Sequence, residues 1–399
     1  ETYYPLIMDR CTKCGHMQNK IKVKSEDRYS KIEYSYTSDN SSVSQKHFRE
    51  LAEYAVEECY LDKNSFVVEP GSNIGTLISA IKDIKVFGNH IFIQDKLAPR
   101  ILIYNINNGE LLSRIENQGQ GPGEYSNISF FDIHRASKTV HILDISTGKI
   151  FIYGFDGIFK EEITARIICR DYGVNEDGSY LFYSPDEQNE FNGNLLKPGL
   201  LHLSTNRSKL NNILPLGKEG YYPLLGAGRS LIAENNRFYL ISNYTDTVYT
   251  INGDAIEEKL YFDYRHKMDE EALFNPYYDL SNAGFPILKL KPFATSEYLG
   301  YSFMYKGKAL SLFYDRGKGS ITTYQLLNNS LNDTPFVLNG VTAVEGDRYI
   351  GIVDEMLIDS FKTVLQMEGS DRINNAKLKE IIDAYEQSNN PVLAIATLR

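Results

Sequence analysis

Tryptophan is missing from this chain altogether, and cysteine occurs only four times in 399 residues. So sparse a thiol content excludes a disulfide-built scaffold, and a chain of this length must bury a core of its own. No apolar run comes near the roughly 18 residues that a membrane-spanning helix requires. Basic residues are outnumbered, 42 Lys and Arg against 52 Asp and Glu, for a net charge of −10. That balance argues against a nucleic-acid partner, which calls for a basic face to displace counterions from phosphates. The G-x-S-x-G, H-E-x-x-H and P-loop motifs are absent and the seven histidines are scattered, so no catalytic set, cofactor or metal site stands out. The chain opens at Glu1 with neither an initiator Met nor an apolar leader. A targeting segment or lipid anchor would therefore belong to sequence not included here.

Tyrosine is plentiful, with 29 residues beside 20 phenylalanines, and it suits strand surfaces where the ring packs while the hydroxyl reaches water. A strand followed by a hairpin recurs. "HIFIQD" (His90–Asp95) alternates as a strand should, and "RILIYNINNGELLSRI" (Arg100–Ile115) reads as a hairpin turning at Asn107, Asn108 and Gly109. "TVHILD" (Thr139–Asp144) and "KIFIYGFDGIFKEEI" (Lys149–Ile163) repeat it, with 49 residues from Asp95 to Asp144 and the same 49 from Tyr104 to Tyr153. "RFYLIS" follows, its Ser242 lying 98 residues after Asp144. A degenerate copy is "SYLFYS" (Ser179–Ser184) with "GLLHLSTNRSKLNNIL". A fifth is "ALSLFYD" (Ala309–Asp315) with "SITTYQL", and a sixth is "RYIGIVD" (Arg348–Asp354) with "PVLAIATL" after a helical insertion. Repeating units of about four strands predict an all-β fold, a six-bladed β-propeller over residues 63–399. The last unit stops one strand short, and "SFVVEP" (Ser65–Pro70) is expected to fill that place and close the ring.

Between the first two units lies "GQGPGEY" (Gly119–Tyr125), where the chain crosses from rim to axis. Turn chemistry accounts for its composition, because glycine and proline supply tight turns and close backbone approach; Glu124 and Tyr125 are the residues that a binding role would use. The run from "IFIQD" through "ILIYNINNGELLSRIENQGQGPGEY" and "VHILD" to "GKIFIYGFDGIFKEEI" resembles the six-bladed propeller proteins common in Bacteroidetes, themselves similar to NHL-repeat propellers. The resemblance extends over about Ser65 to Arg399. It implies a secreted or lipid-anchored protein, periplasmic or at the cell surface, and it carries over no catalytic residues. An insertion between Asp263 and Ser296 and the first sixty or so residues depart from the pattern.

Residues 1–62 read as a small α+β appendage. Phe48, Leu51, Ala52, Ala55 and Cys59 share one helical face, with Ser42 and Gln45 spaced as a capping box. Its "CTKCGHMQ" holds Cys11 and Cys14, a spacing that serves a disulfide, a redox dithiol, part of a zinc site with His16 and Cys59, or two free thiols; an exported chain favours the disulfide. Cys169 reads as a buried hydrophobe. Within 356–387 two helices are expected, one with Leu357, Phe361, Val364 and Leu365 on a face, the other with Leu378, Ile381, Ile382 and Tyr385.

Three functions compete. A binding or scaffold propeller outside the cytoplasm needs the fewest special residues. A lactonase- or lyase-type enzyme needs acids, histidines and a metal converging on the channel mouth, and a thiol-redox protein would act through Cys11 and Cys14. For the first, the loops joining second and third strands should share a face with the crossings between blades. These bring Lys96, Arg100, Lys149, Lys197, Arg316 and Lys318 together with Lys218 and Arg229, and with Tyr125, Tyr221 and Tyr222. The expectation is a mildly cationic mouth that receives an acidic glycan or an acidic protein surface.

Overall fold

The computed structural model describes residues 8–10, 17–19, 81–95, 98–216, 228–264, 285–324, 341–346, 348–353, 375–388 and 392–397, with single positions at 271, 275, 278, 358, 359, 361 and 362. The chain divides into two compact units, Glu1–Leu77 and Ile78–Arg399. In the first, β1 (Met8–Arg10) pairs antiparallel with β2 (Met17–Asn19), Arg10 opposite Met17. The connection that holds Cys11 and Cys14 lies outside the described residues, as do the helix expected around Phe48 and the strand expected at Ser65–Pro70.

The second unit is built of antiparallel sheets, each wound outward in chain order. They are β3 to β6 (Ile81–Phe87, His90–Asp95, Ile101–Asn105, Leu111–Ile115), then β7 to β10 (Phe130–His134, Thr139–Asp144, Lys149–Gly154, Phe159–Thr164). The third consists of β11 (Asp171–Val174), β12 (Tyr180–Ser184), β15 (Gly199–Leu203) and β16 (Leu210–Leu214), with a separate ribbon of β13 (Asn189–Phe191) and β14 (Asn194–Leu196) inserted. The fourth is β17 to β20 (Leu231–Glu234, Arg237–Ile241, Thr247–Asn252, Ala255–Tyr261), and the fifth β21 to β24 (Ile287–Ala294, Tyr298–Tyr305, Lys308–Asp315, Ser320–Tyr324). The last has three strands, β25 (Val341–Glu345), β26 (Arg348–Val353) and β27 (Val392–Thr397). The innermost strands touch in succession, β7 with β11, β11 with β17, β17 with β21, β21 with β25 and β25 with β3. This is a propeller arrangement with five complete four-stranded blades and one three-stranded sheet among the described residues; the sequence predicted six blades, the sixth completed by Ser65–Pro70, which lies outside the described residues.

Hydrophobic burial is concentrated in the seams between sheets. Phe92, Ile101 and Ile103 of the first meet Phe131, Val140 and Phe151 of the second; Leu143 and Ile152 meet Tyr172, Tyr180 and Phe182 of the third. Ile84, Val86 and Ile91 pack with Ile350 of the last. Two-sided burial explains why central strands such as β8 and β12 are buried along their whole length. The insertion between β26 and β27 contains α1 (Asn375–Ser388), which buries Ile382 from the expected stripe, and Phe361 of the other stripe is buried as well.

Two sequence signals acquire a physical cause. The aspartate ending the repeat's strand is a loop cap: Asp144, wholly buried, accepts bonds from Ser126 N–H (2.8 Å) and Oγ (2.7 Å) and Asn127 N–H on one oxygen, and from Ser146 N–H and Oγ and Thr147 N–H on the other. Burial works against its charge, but the donors of Ser146, Ser126 and Asn127 outweigh that and hold the carboxyl below its usual range. In the GQGPGEY loop, Gly123 has φ +76°, and a Cβ there would lie 2.8 Å from the Phe159 ring, so a side chain is excluded.

Reading every such aspartate as the end of a second strand misplaces the fifth blade by one strand. Asp315 caps the turn between β23 and β24, accepting from Lys318 N–H at 2.9 Å, and the second strand is β22. The cap marks a tight connection, whichever strand precedes it. In consequence Arg316 and Lys318 stand at the end of the sheets that carries the first-to-second turns (the hairpin end), opposite the end with the crossings (the crossing end).

A hydrogen-bonded chain runs inward from the second blade's turn. His134 Nε2 lies 3.0 Å from the Glu176 carbonyl, which can only accept, so Nε2 carries the proton and Nδ1 accepts from Ser137 Oγ at 2.6 Å. Ser137 then accepts from Thr139, Thr139 from His141 Nε2–H at 2.8 Å, and His141 Nδ1 from the Tyr180 hydroxyl at 3.0 Å. This order requires a neutral His141, and burial, with His134 adding, pushes its pKa down to about 3. An unfolded chain takes up this proton near pH 6.5 while the folded chain refuses it, so stability falls as pH drops from about 6.5 toward 3, by up to about 4 kcal/mol. Chemical denaturation at pH 7, 5.5 and 4 should show that loss, and His141→Gln should flatten the slope between pH 6.5 and 5, above the range where Asp144 begins to contribute.

Candidate functional site

The charged groups gather on the propeller axis around Arg229, which the sequence placed in the crossing before β17 as part of a mouth. The structure puts its side chain, 17% exposed, in the channel, where it reaches three other blades. Nη1 lies 3.0 Å from Asp83 of β3 and 3.3 Å from the Phe131 carbonyl of β7. Nη2 donates to the Tyr172 carbonyl of β11 at 3.1 Å, and Nε lies 3.1 Å from Asp171. Asp171, wholly buried, also accepts from the backbone N–H of Tyr172, Ser230 and Leu231. Alongside, Lys85 pairs with Asp132 at 2.9 Å, and the other oxygen of Asp132 accepts from Val174 N–H at 2.9 Å.

Electrostatics follow from this packing. Burial disfavours charge on Asp132, but Lys85 and Arg229 outweigh it and hold the carboxyl below its usual range. Burial lifts Asp171, with Arg229 and the three backbone N–H groups opposing. Arg229 is held above its already high value: burial is outweighed by Asp171, Asp83 and Asp132. Each carboxylate thus faces a cation, two cations serving three carboxylates, and the pairs tie blades together as a brace does. A second buried cation, Lys289 of β21, donates to the Ser242 carbonyl (3.0 Å) and the Thr245 carbonyl and pairs with Asp246 at 3.4 Å. Burial pushes it down to about 8, Asp246 opposing. Among the described residues, no group of three or more His, Cys, Asp or Glu is placed to hold a metal ion.

The mouth expected from the sequence does not assemble as one patch. Arg100 and Lys149 stand at the crossing end, Arg100 held by Asp95 at 2.8 Å and Lys149 by Glu162 at 2.6 Å. Lys197 is exposed in the third blade's insertion. Arg316 and Lys318 stand at the hairpin end; Arg316 lies over the Tyr239 ring at 4.4 Å, and Lys318 pairs with Asp315 at 2.8 Å. Tyr125 is wholly buried, its hydroxyl 2.7 Å from the Pro99 carbonyl, so it packs the first two blades and lines no mouth. Glu124 folds back to accept Gly121 N–H at 2.8 Å. Lys96, Lys218, Tyr221 and Tyr222 lie outside the described residues.

A family model for a domain of unknown function, DUF4934, matches residues 72–397. The chain belongs to the DUF4934 family. No curated protein matches it. Among solved structures, a "Putative exported protein" of Bacteroides fragilis is similar at 18% identity and a TM-score of 0.61, covering 85% of this chain and 93% of its own. That likeness shows the fold, a propeller whose architecture the two proteins share. Weaker likenesses are the Kuenenia stuttgartiensis hydrazine synthase (9% identity, TM-score 0.42, covering 83% and 90%) and a DUF4221 member from Bacteroides vulgatus (11%, 0.41, 68% and 87%).

Sequence reasoning missed the axial carboxylates, although a signal was there: Asp83 and Asp132 are separated by 49 residues, the same period as Asp95 and Asp144. Replacing Arg229 with Met leaves Asp171 buried without its countercharge, which costs about 3–5 kcal/mol. Urea denaturation should show this loss, and adding Asp171→Asn to Arg229→Met should recover part of it. Recovery by the second substitution separates lost charge pairing from lost packing.

Proposed function

We propose that this DUF4934 propeller is an extracytoplasmic scaffold that binds a glycan or a partner protein at the crossing end of the ring and performs no catalysis in the channel. The observation that carries this reading is the Arg229 brace. The acids and bases that an axial enzyme would need point at one another and at backbone carbonyls, and their hydrogen bonds join blades. The similarity to an exported Bacteroides protein supports a place outside the cytoplasm, and the Bacteroidetes propeller resemblance agrees with a lipid anchor on preceding sequence. In this reading the ring is six-bladed, with Ser65–Pro70 as the outer strand of the last blade.

The crossing end also offers a built contact surface. Asn189 fastens the β13–β14 ribbon to the preceding crossing, accepting from Ile168 N–H at 2.8 Å and donating to the Ile168 carbonyl at 3.0 Å. Leu195 on the ribbon is 67% exposed and Ile168 is 52% exposed. Apolar side chains on a fastened ribbon lose little freedom on binding, which favours them as contact residues. Arg100 and Lys149, at the same end, retain N–H groups for an acidic partner, whereas Arg316 and Lys318 do not belong to this surface.

Two measurements test the proposal. Protease treatment of intact cells carrying a tagged chain should remove the tag, and protection in intact and permeabilised outer membranes alike overturns the location. On an array of neutral and acidic glycans, Leu195→Asp should weaken binding about tenfold or more, and Arg100→Glu should weaken acidic glycans only, less so at high salt. Binding that survives both substitutions but is lost with Lys318→Glu would place recognition at the other end and overturn the assignment.

A further inference from the structure

Toward the hairpin end of the channel the axis holds a cavity of about 80 Å³. Val86, Ile133, Ala233, Phe293 and Val344 line it, an apolar tier contributed by five sheets, each residue next to the last of its strand. The charged lining residues are Asp83, Lys85, Asp132, Arg135 and Arg229. Asp83 is engaged by Arg229 and Asp132 by Lys85. Arg135, directly after β7, differs: among the described residues no carboxylate pairs with it, and its guanidinium stands 6.0 Å from the centre of the Phe87 ring.

We propose that this cavity is a binding site for a small monocarboxylate, its head on the Arg135 guanidinium and its short alkyl chain against the apolar tier. A guanidinium offers a fork of N–H donors that matches a carboxylate bidentately, and the aromatic face behind it fixes its plane. The lining carries three cations against two carboxylates that are already paired, a single net positive charge, so a monoanion is matched better than doubly charged phosphate. At about one probe sphere of 10–15 Å³ per water, the cavity has room for roughly six non-hydrogen atoms, which suits acetate, propionate or butyrate. The site is independent of the crossing-end surface, because none of its lining residues belongs to the ribbon or the crossings except Arg229.

Ligand-observed NMR with the intact chain tests this, using acetate, propionate, butyrate and octanoate as a length series, propionamide as the uncharged isostere, and inorganic phosphate. Propionate should bind with a Kd on the order of 1 mM, as expected for so few atoms. Binding should weaken tenfold or more in Arg135→Gln and less in Arg135→Lys, with octanoate binding more weakly than propionate because its chain outruns the apolar tier. Thermal unfolding of both variants checks that they fold; if Arg135→Gln does not, Ala233→Leu, which fills the cavity without touching the charge, should abolish binding. The proposal is overturned if propionate binds wild type and Arg135→Gln alike, if propionamide or octanoate matches propionate, if phosphate binds more tightly, or if nothing binds at about 50 mM.

Discussion

Everything near the axis of this propeller depends on how one guanidinium is satisfied. Arg229 enters from the crossing before the fourth blade and finds acceptors on the first three: the Asp83 carboxylate, the Phe131 and Tyr172 carbonyls, and Asp171. Radial sheets converge at the axis with too little room for large apolar side chains from every blade, yet they bring backbone carbonyls together. A planar cation with five donors in a fixed fork can bind acceptors from three blades at once, more than the three donors of a lysine ammonium allow. The desolvation cost is offset only because each carboxylate is itself bonded to backbone N–H groups, as Asp171 is to three of them.

The same device, in smaller form, joins other blades. Lys85 and Asp132 tie the first to the second, Lys289 of the fifth reaches the Ser242 and Thr245 carbonyls of the fourth, and Arg348 of the last donates to the Gly88 carbonyl of the first at 3.1 Å. Hydrophobic burial in the seams supplies most of the cohesion, but it is non-directional and would tolerate sliding. Buried cations that bridge specific carbonyls fix the rotation of one blade against the next. Such a core gains uniqueness at some loss of stability, and the loss is most visible in acid, where carboxylates lose charge and neutral His141 must accept it.

Much of this architecture was legible in the sequence. The strand-plus-hairpin repeat was visible because loops recur at fixed spacing, and in the second blade the closing residue, Asp144, is a cap with both oxygens used. The fifth blade was misread because Asp315 caps a later turn with the same chemistry; a local motif reports local geometry and says nothing of strand rank. The site was less legible. Arg100, Lys149, Arg316 and Lys318 look alike in one dimension, and only strand register separates two of them to the opposite end. Tyr125 looked like a mouth residue because loops are usually exposed, but a glycine-rich loop lets its one large side chain turn inward and serve as its anchor. Arg229 carried no motif at all, since its partners lie 57 to 146 residues away.

The two ends of the ring therefore divide the work. At the crossing end, long connections carry the ribbon with Leu195 and Ile168, and the Asp144 cap bonds the loop after its strand to the crossing that enters the same blade. At the hairpin end, turns are short, and the side chains just above them meet across the axis. Between them stands the brace of Arg229, whose carboxylates are each bonded to a cation and to backbone N–H groups. A charge network in the channel ties the blades to one another in fixed directions, where an apolar plug would leave them free to rotate.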